Sequence, residues 1–254
     1  MVDIDENSHP GTEFRVSTGG EFRRWCDEVT PEILAGGAEF TRAEAGRNRD
    51  WSGLIETLLV KKNEQLHEQM RELKSRHAAV ERAIASIEKY RKSPTNGTVS
   101  LEYIDRRYTY GRPCRHNFYE MDAASFEKEL MALRQELVKK GFLHVHSYNV
   151  GTTITQVNFE QGVFIPEESF VFVDHKDRDI VPGVKVLDSG MFACIYLDHF
   201  DEETAYALKL RDHCRAQGWI IDGDYICEII TEFNVFDSEK RSMFMRLQVP
   251  VRFS

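Results

Sequence analysis

Apolar positions follow three rhythms along the chain. Over the first 18 residues short β-prone stretches such as EFRVS alternate with turn formers, and two helical segments follow, GEFRRWCDEVTPEILAGG and FTRAEAG, punctuated by Gly36-Gly37 and Gly46. From Trp51 to about Lys92 no Gly or Pro occurs after Gly53. There Leu59, Asn63, Leu66, Met70, Leu73, His77, Val80, Ile84 and Ile87 recur at alternating spacings of four and three. A stripe of that period predicts a coiled coil over 51–92, with Glu, Lys, Arg and Gln on the solvated face. Asn63 and His77 are polar at core positions, where they cost stability but can fix register, and His77 reads as a hydrogen-bonded core histidine. SPTNGT at 93–98 reads as a linker.

Beyond the linker the pattern repeats. One copy runs from a strand, SLEYIDRRYTYG, through a helix, DAASFEKELMALRQELVKKG, to two strands, LHVHSYNVG and ESFVFVDH. The second has the strand KVLDSGMFACIYLDHF, the helix DEETAYALKLRDHCRAQG and the strands DYICEIITEF and SMFMRLQVPV. Each helix ends in glycine followed by an aromatic residue, Gly141-Phe142 and Gly218-Trp219, as a left-handed C-cap requires. Two strand-helix-strand-strand units predict an α+β domain over 99–254, its halves related by a pseudo-twofold axis and a ligand groove between them.

Charge narrows the partners. The net charge is -9. Residues 1–92 are near neutral, with 15 basic and 17 acidic side chains, and the remainder carries 18 basic and 25 acidic. An acidic C-terminal half does not suit phosphate backbones and favours a cationic ligand. The five cysteines are scattered with no C-x-x-C pair, so neither a disulfide framework nor a cysteine zinc site is indicated. No apolar run approaches the roughly 20 residues of a membrane span, and the polar N-terminus is no signal peptide, so a cytoplasmic protein is expected.

Glu228 in GDYICEIITEF is the strongest candidate for chemistry. On a strand it shares one face with Ile226 and Ile230, in an apolar setting. An isolated buried carboxylate is expensive, and a cationic ligand would supply its partner; pairing with a nearby Arg, or an edge position that reaches water, is the structural alternative. The many aromatic residues after Tyr103 suit a pocket for flat or cationic molecules. His144 and His146 could chelate a metal with His175 or Asp174 but read better as a solvated strand face, and neither metal nor cofactor is expected. No G-x-S-x-G, P-loop, H-E-x-x-H or G-x-G-x-x-G occurs, so an enzyme is not expected.

A long coiled-coil helix feeding a duplicated strand-helix-strand-strand domain resembles MerR-type regulators with a GyrI-like, SOUL-like effector domain, above all the multidrug-sensing BmrR type. VDIDENSHPGTEFRVS resembles the wing and GGAEFTRAEA the next helical hairpin, while SGMFACIYLDHF and GDYICEIITEF carry the likeness near the end. The resemblance implies a partial winged-helix region over 1–50, a dimerisation helix over 51–92 and an effector domain over 99–254. It implies that Glu228 neutralises a lipophilic or cationic effector and that Ile230 walls the pocket. Tyr148 in HSYNV and Phe200 match pocket aromatics. The family's tyrosine early in the second helix falls at Ala205, leaving Tyr206 as the candidate, and one on the first helix is replaced near Phe126.

The chain begins at about the wing, so recognition helices for the major groove are not seen. DNA contact is therefore expected only at phosphates, through Arg15, Arg23 and Arg24. The expectation is a ligand-responsive regulator dimerised by an antiparallel coiled coil. The alternatives are a stand-alone effector-binding module without DNA binding, and a small-molecule hydrolase with Glu228 as base.

Overall fold

The computed structural model describes residues 50–120, 123–179, 181–232 and 242–253. Arg15, Arg23, Arg24 and the winged-helix reading of 1–50 lie outside them. The chain divides into two compact units, residues 1–71 and 72–254. Among the described residues, no helix is long and apolar enough to cross a membrane.

The predicted long helix is α1, Asp50–Lys92. Its heptad positions Leu66, Met70, Leu73, Val80, Ile84 and Ile87 are 42 to 62% exposed in the single chain. His77 is likewise exposed and lies 3.5 Å from Glu81, so its place in a buried core depends on a second helix. The expected boundary at the linker moves, because the last turns of α1 belong to the second unit. SPTNGT is a tight turn in which Gly97 takes φ +76° and donates its amide to the Tyr196 carbonyl at 2.9 Å.

The second unit is an antiparallel sheet built from β1 (Val99–Ile104), β2 (Arg107–Pro113), β3 (Val150–Ile154), β4 (Glu168–Val173), β5 (Lys185–Leu187), β6 (Gly190–His199), β8 (Tyr225–Glu232) and β9 (Ser242–Arg252). A two-residue strand β7, Ile220–Ile221, pairs with β9. Each expected opening strand bends into two, β1–β2 and β5–β6. The ladder between them nevertheless keeps one register from Val99↔Ile195 to Thr109↔Lys185, so the sheet curls until its pairings close on themselves. The path β2-β4-β3-β8-β9-β6 is palindromic, with the two copies meeting at β3 and β8.

Two helices, α2 (Ala123–Lys139) and α4 (Glu203–Ala216), bury apolar stripes on one side of the sheet. Phe126, Leu130, Leu133 and Leu137 come from α2, and Ala207, Leu210 and Cys214 from α4. Their spacings of three and four place them on one helical face. Both helices end identically. Phe142 donates to the Leu137 carbonyl and Trp219 to that of Cys214, while Gly141 and Gly218 adopt left-handed backbone at φ +89° and +70°. This double cap belongs to the Schellman motif.

Two local expectations are corrected. LHVHSYNVG is not one strand: His144 has φ 53°, Val145–Ser147 form a 3-10 turn, and pairing starts at Val150. His144 and His146 therefore do not share a strand face, and no group of three His, Cys, Asp or Glu among the described residues could hold a metal. A short helix, α3 (Gln156–Gln161), lies between β3 and β4, with Thr155 as N-cap and Gly162 as C-cap.

The offset that carries Gly141 onto Gly218 also carries Gly151 onto Glu228, and these two residues face each other in the β3–β8 register. A Cβ at Gly151 would meet Phe170 ring carbons at 2.6 and 2.7 Å and the Cys227 carbonyl at 2.8 Å. Gly151→Ala is therefore expected to cost about 1–3 kcal/mol through overpacking, read from urea unfolding. An unchanged midpoint would mean that this close approach is not needed.

Candidate ligand site

Alternation along the strands separates two environments. Tyr225, Cys227 and Ile229 face the helix-covered core, whereas Ile230 joins Ile104, Phe192, Cys194, Tyr196 and Phe244 in a cluster on the opposite face. Glu228 shares that opposite face. Its side chain is only 4% exposed.

Glu228 is not isolated, and the expectation that an incoming cation supplies its missing partner is corrected. Lys89 Nζ donates to Oε1 at 2.8 Å. Arg246 Nη2, Gln248 Nε2 and Arg107 Nη1 donate to Oε2 at 2.7, 3.1 and 3.2 Å. Burial alone would push the carboxyl up, but the charges of Arg246, Lys89 and Arg107 outweigh it and hold Glu228 well below the usual carboxylate range. Behind this centre Glu102 lies 3.5 Å from Arg246 and accepts the Tyr196 hydroxyl at 3.0 Å. Gln248 also accepts from Arg107 at 2.9 Å.

The end of α1 reaches this face because Arg82, Ser86 and Lys89 are spaced by four and three residues and so share one helical side. Arg82 bridges Asp174 at 3.0 Å and Ser147 at 2.8 Å, with its guanidinium 4.0 Å over the Tyr148 ring. Tyr90 packs edge-on against Phe244 at 4.8 Å. A cavity of about 400 Å³ opens between α1 and the sheet, lined by Arg82, Lys89, Arg107, Asn149, Phe172 and Glu228, with Arg106, Tyr108, Asp174 and His175 at its walls. A second cavity of about 660 Å³ lies on the same sheet face, walled by Phe170, Phe192 and Ile226. It is rimmed by Glu167, Glu168, Asp188, Asp222 and Asp224, with Lys185 as the one basic residue of its lining among the described residues.

The other sequence candidates disperse. Ile230 is buried beside Phe244, on the Glu228 face. Tyr148 is buried in the helix-side core, touching the cavity through Arg82, and burial pushes its hydroxyl up to about 12. Phe126 and Phe200 stack at 6.0 Å on the helix side, away from Glu228. Tyr206 lies against the Gly97 turn, where it would meet an added Cβ at 3.2 Å. The residues that sequence reasoning missed are Lys89, Arg107, Arg246 and Gln248. A signal existed for two of them: Arg246 and Gln248 are polar at alternate positions of the otherwise apolar MFMRLQVPV.

A second buried carboxyl lies on the helix side. Glu203 accepts the hydroxyls of Tyr119 at 2.6 Å and Tyr225 at 2.9 Å. Burial raises its pKa against the hydrogen bonds of Tyr119, Tyr225 and Cys227. Burial also pushes the Cys114 and Cys214 thiols up to about 11 and Cys194 to about 12, which keeps them protonated and unreactive.

No family model matches this sequence, and no curated protein is similar to it in sequence. Among solved structures, the EcmrR C-terminal domain is similar over 62% of this chain and 98% of that one, at 13% identity and a TM-score of 0.48. An EcmrR–DNA complex is similar over 97% of this chain and 88% of that one, at 14% identity and a TM-score of 0.49. A hydrolase from Listeria innocua is similar over 65% of this chain and 96% of that one, at 12% identity and a TM-score of 0.39. All three scores fall below 0.5, so the reading of the site rests on this chain's own residues.

The two buried carboxyls predict opposite pH responses. Glu228, depressed in the folded state, adds stability that is present above its ordinary 4.5 and lost as pH falls toward its folded value. Glu203, raised in the folded state, adds stability that is full below 4.5 and lost as pH rises through its folded value. Glu228→Gln removes the shared partner of three cations and is expected to cost about 3–5 kcal/mol in urea unfolding near neutral pH; a loss below about 1 kcal/mol would contradict the network. Glu203→Gln keeps an acceptor oxygen and is expected to raise the urea midpoint at about pH 8 while leaving it unchanged at about pH 4. Equal midpoints at both pH values would show that Glu203 is not strained by burial.

Proposed function

We propose that this chain is the dimerising and ligand-sensing part of a transcriptional regulator, and that a small aromatic effector enters the cavity between α1 and the sheet. One observation carries this reading. Arg82, Ser86 and Lys89 line that cavity from one side of α1, while Val80, Ile84 and Ile87 lie exposed on the other. Positions two apart on a helix point about 200° apart, so the cavity face and the apolar stripe are back to back. A molecule that shifts Lys89 or Arg82 shifts the helix carrying the stripe. Ligand binding would thus bias the geometry of a dimer and of any DNA it holds.

A second copy of α1 is the natural cover for the stripe, since the spacing is that of a coiled coil rather than of a lone surface helix. The stand-alone binding module differs only in making no use of DNA. The hydrolase reading is the weaker one, because a carboxylate held by four donors and below its usual range is a poor proton acceptor.

Two measurements test the proposal. Leu73→Glu together with Ile84→Glu is expected to convert a dimer into a folded monomer by sedimentation equilibrium, and a wild-type chain that is itself monomeric at micromolar concentration would contradict dimerisation through α1. Retardation of DNA from upstream of the chain's own gene at low salt is expected for the regulator. No retardation would move the reading to the stand-alone module.

A further inference from the structure

The cavity between α1 and the sheet has a sign opposite to that of the chain. In a protein of net charge -9, four cations line it, Arg82, Lys89, Arg106 and Arg107, against two acids, Asp174 and Glu228. Glu228 is also shared with Arg246, a fifth cation whose side chain is only 5% exposed. Arg106 points to the rim, 59% exposed, and its acidic neighbour Asp188 is 80% exposed, so that pair is well screened. Arg107 is the innermost cation of the lining. Two of its nitrogens are engaged by Glu228 and Gln248, while its buried Nε has no hydrogen-bond partner. Its guanidinium lies 5.2 Å from the centre of the Phe172 ring, and Phe172 and Tyr108 give the cavity aromatic walls.

We propose that this cavity binds a small aromatic monoanion, with Arg107, Lys89 and Arg106 meeting the acid group and Phe172 and Tyr108 meeting the ring. The proposal rests on the reading of this site as an effector pocket and assigns the charge of its ligand. A cation placed here would sit among four like charges, with Glu228 already saturated by donors. An anion instead relieves the mutual repulsion of those charges. In this arrangement Glu228 is a positioning residue that holds Lys89, Arg107 and Arg246 together. A planar acid of naphthoate size fits within about 400 Å³.

The test uses three molecules with one ring and different charge: 2-naphthoate, 2-naphthamide and 2-naphthylmethylammonium, titrated calorimetrically into the full chain. Naphthoate is expected to bind about tenfold or more tightly than the amide, and the ammonium compound least tightly. Arg107→Gln is the most direct variant but removes a buried partner of Glu228 and Gln248 on which folding also depends, so the deciding variants are Arg106→Gln at the rim and Lys89→Gln on the partly exposed helix end. Arg106→Gln is expected to weaken naphthoate severalfold and leave the amide unchanged, Lys89→Gln is expected to weaken naphthoate more than the amide, and added salt is expected to narrow the gap. Tightest binding of the ammonium compound, equal affinities for all three, variants without effect on naphthoate, or no binding of any of the three at millimolar concentration would each overturn the proposal. If naphthoate binds in the expected order but changes neither dimerisation nor DNA retention, the anion site stands and the regulator reading fails. If the ammonium compound binds tightest and alters DNA retention, the regulator reading stands and the anion site fails.

Discussion

One buried carboxylate organises the second unit. Glu228 lies 4% exposed on a strand in the middle of the sheet, and the cations that hold it come from three elements: Lys89 from α1, Arg107 from β2 and Arg246 from β9. Removing charges from water is costly, and attraction offsets the cost only when each group keeps its hydrogen bonds. Both oxygens of Glu228 meet that condition, with Gln248 closing the set, whereas the buried Nε atoms of Arg107 and Arg246 are left without a partner. The cluster therefore acts less as a source of stability than as a specification. It fixes the end of the long helix against one face of the sheet and ties the bend of the β1–β2 strand to β8 and β9 through the Arg107 side chain.

The duplication makes this arrangement asymmetric. A palindromic sheet with two identically capped helices would offer the same face twice. At the pseudo-twofold axis one copy supplies Glu228 and the other Gly151, whose missing side chain leaves room for Phe170. The face consequently has a basic end beside α1 and an acid-rimmed end around Phe170 and Ile226. Polarity along one face is what a symmetric repeat cannot provide and a selective ligand site needs.

Much of the framework was legible in the sequence, because it rests on local rules. Glycine-terminated helices, the repeat and the face of Glu228 follow from backbone preference and from periods of 3.6 and 2. The failures share one cause. The continuous ladder between the two bent strands, and the gathering of Lys89, Arg107 and Arg246 on one carboxylate, are contacts between residues far apart in the chain, and no local period encodes them. Lys89 in particular looks like one more solvated position of a coiled coil. Phe126 and Phe200, which the resemblance placed in the pocket, pack in the helix-side core, since aromatic residues fit a core as readily as a ligand site.

The helix end and the sheet are joined energetically through this carboxylate. A double-mutant cycle on Lys89→Met and Glu228→Gln, followed by urea unfolding, measures that join directly. A coupling of about 1–3 kcal/mol between the two positions is expected. Effects that add within about 0.5 kcal/mol would show that Lys89 merely lies near Glu228 and that the helix end is not held by it.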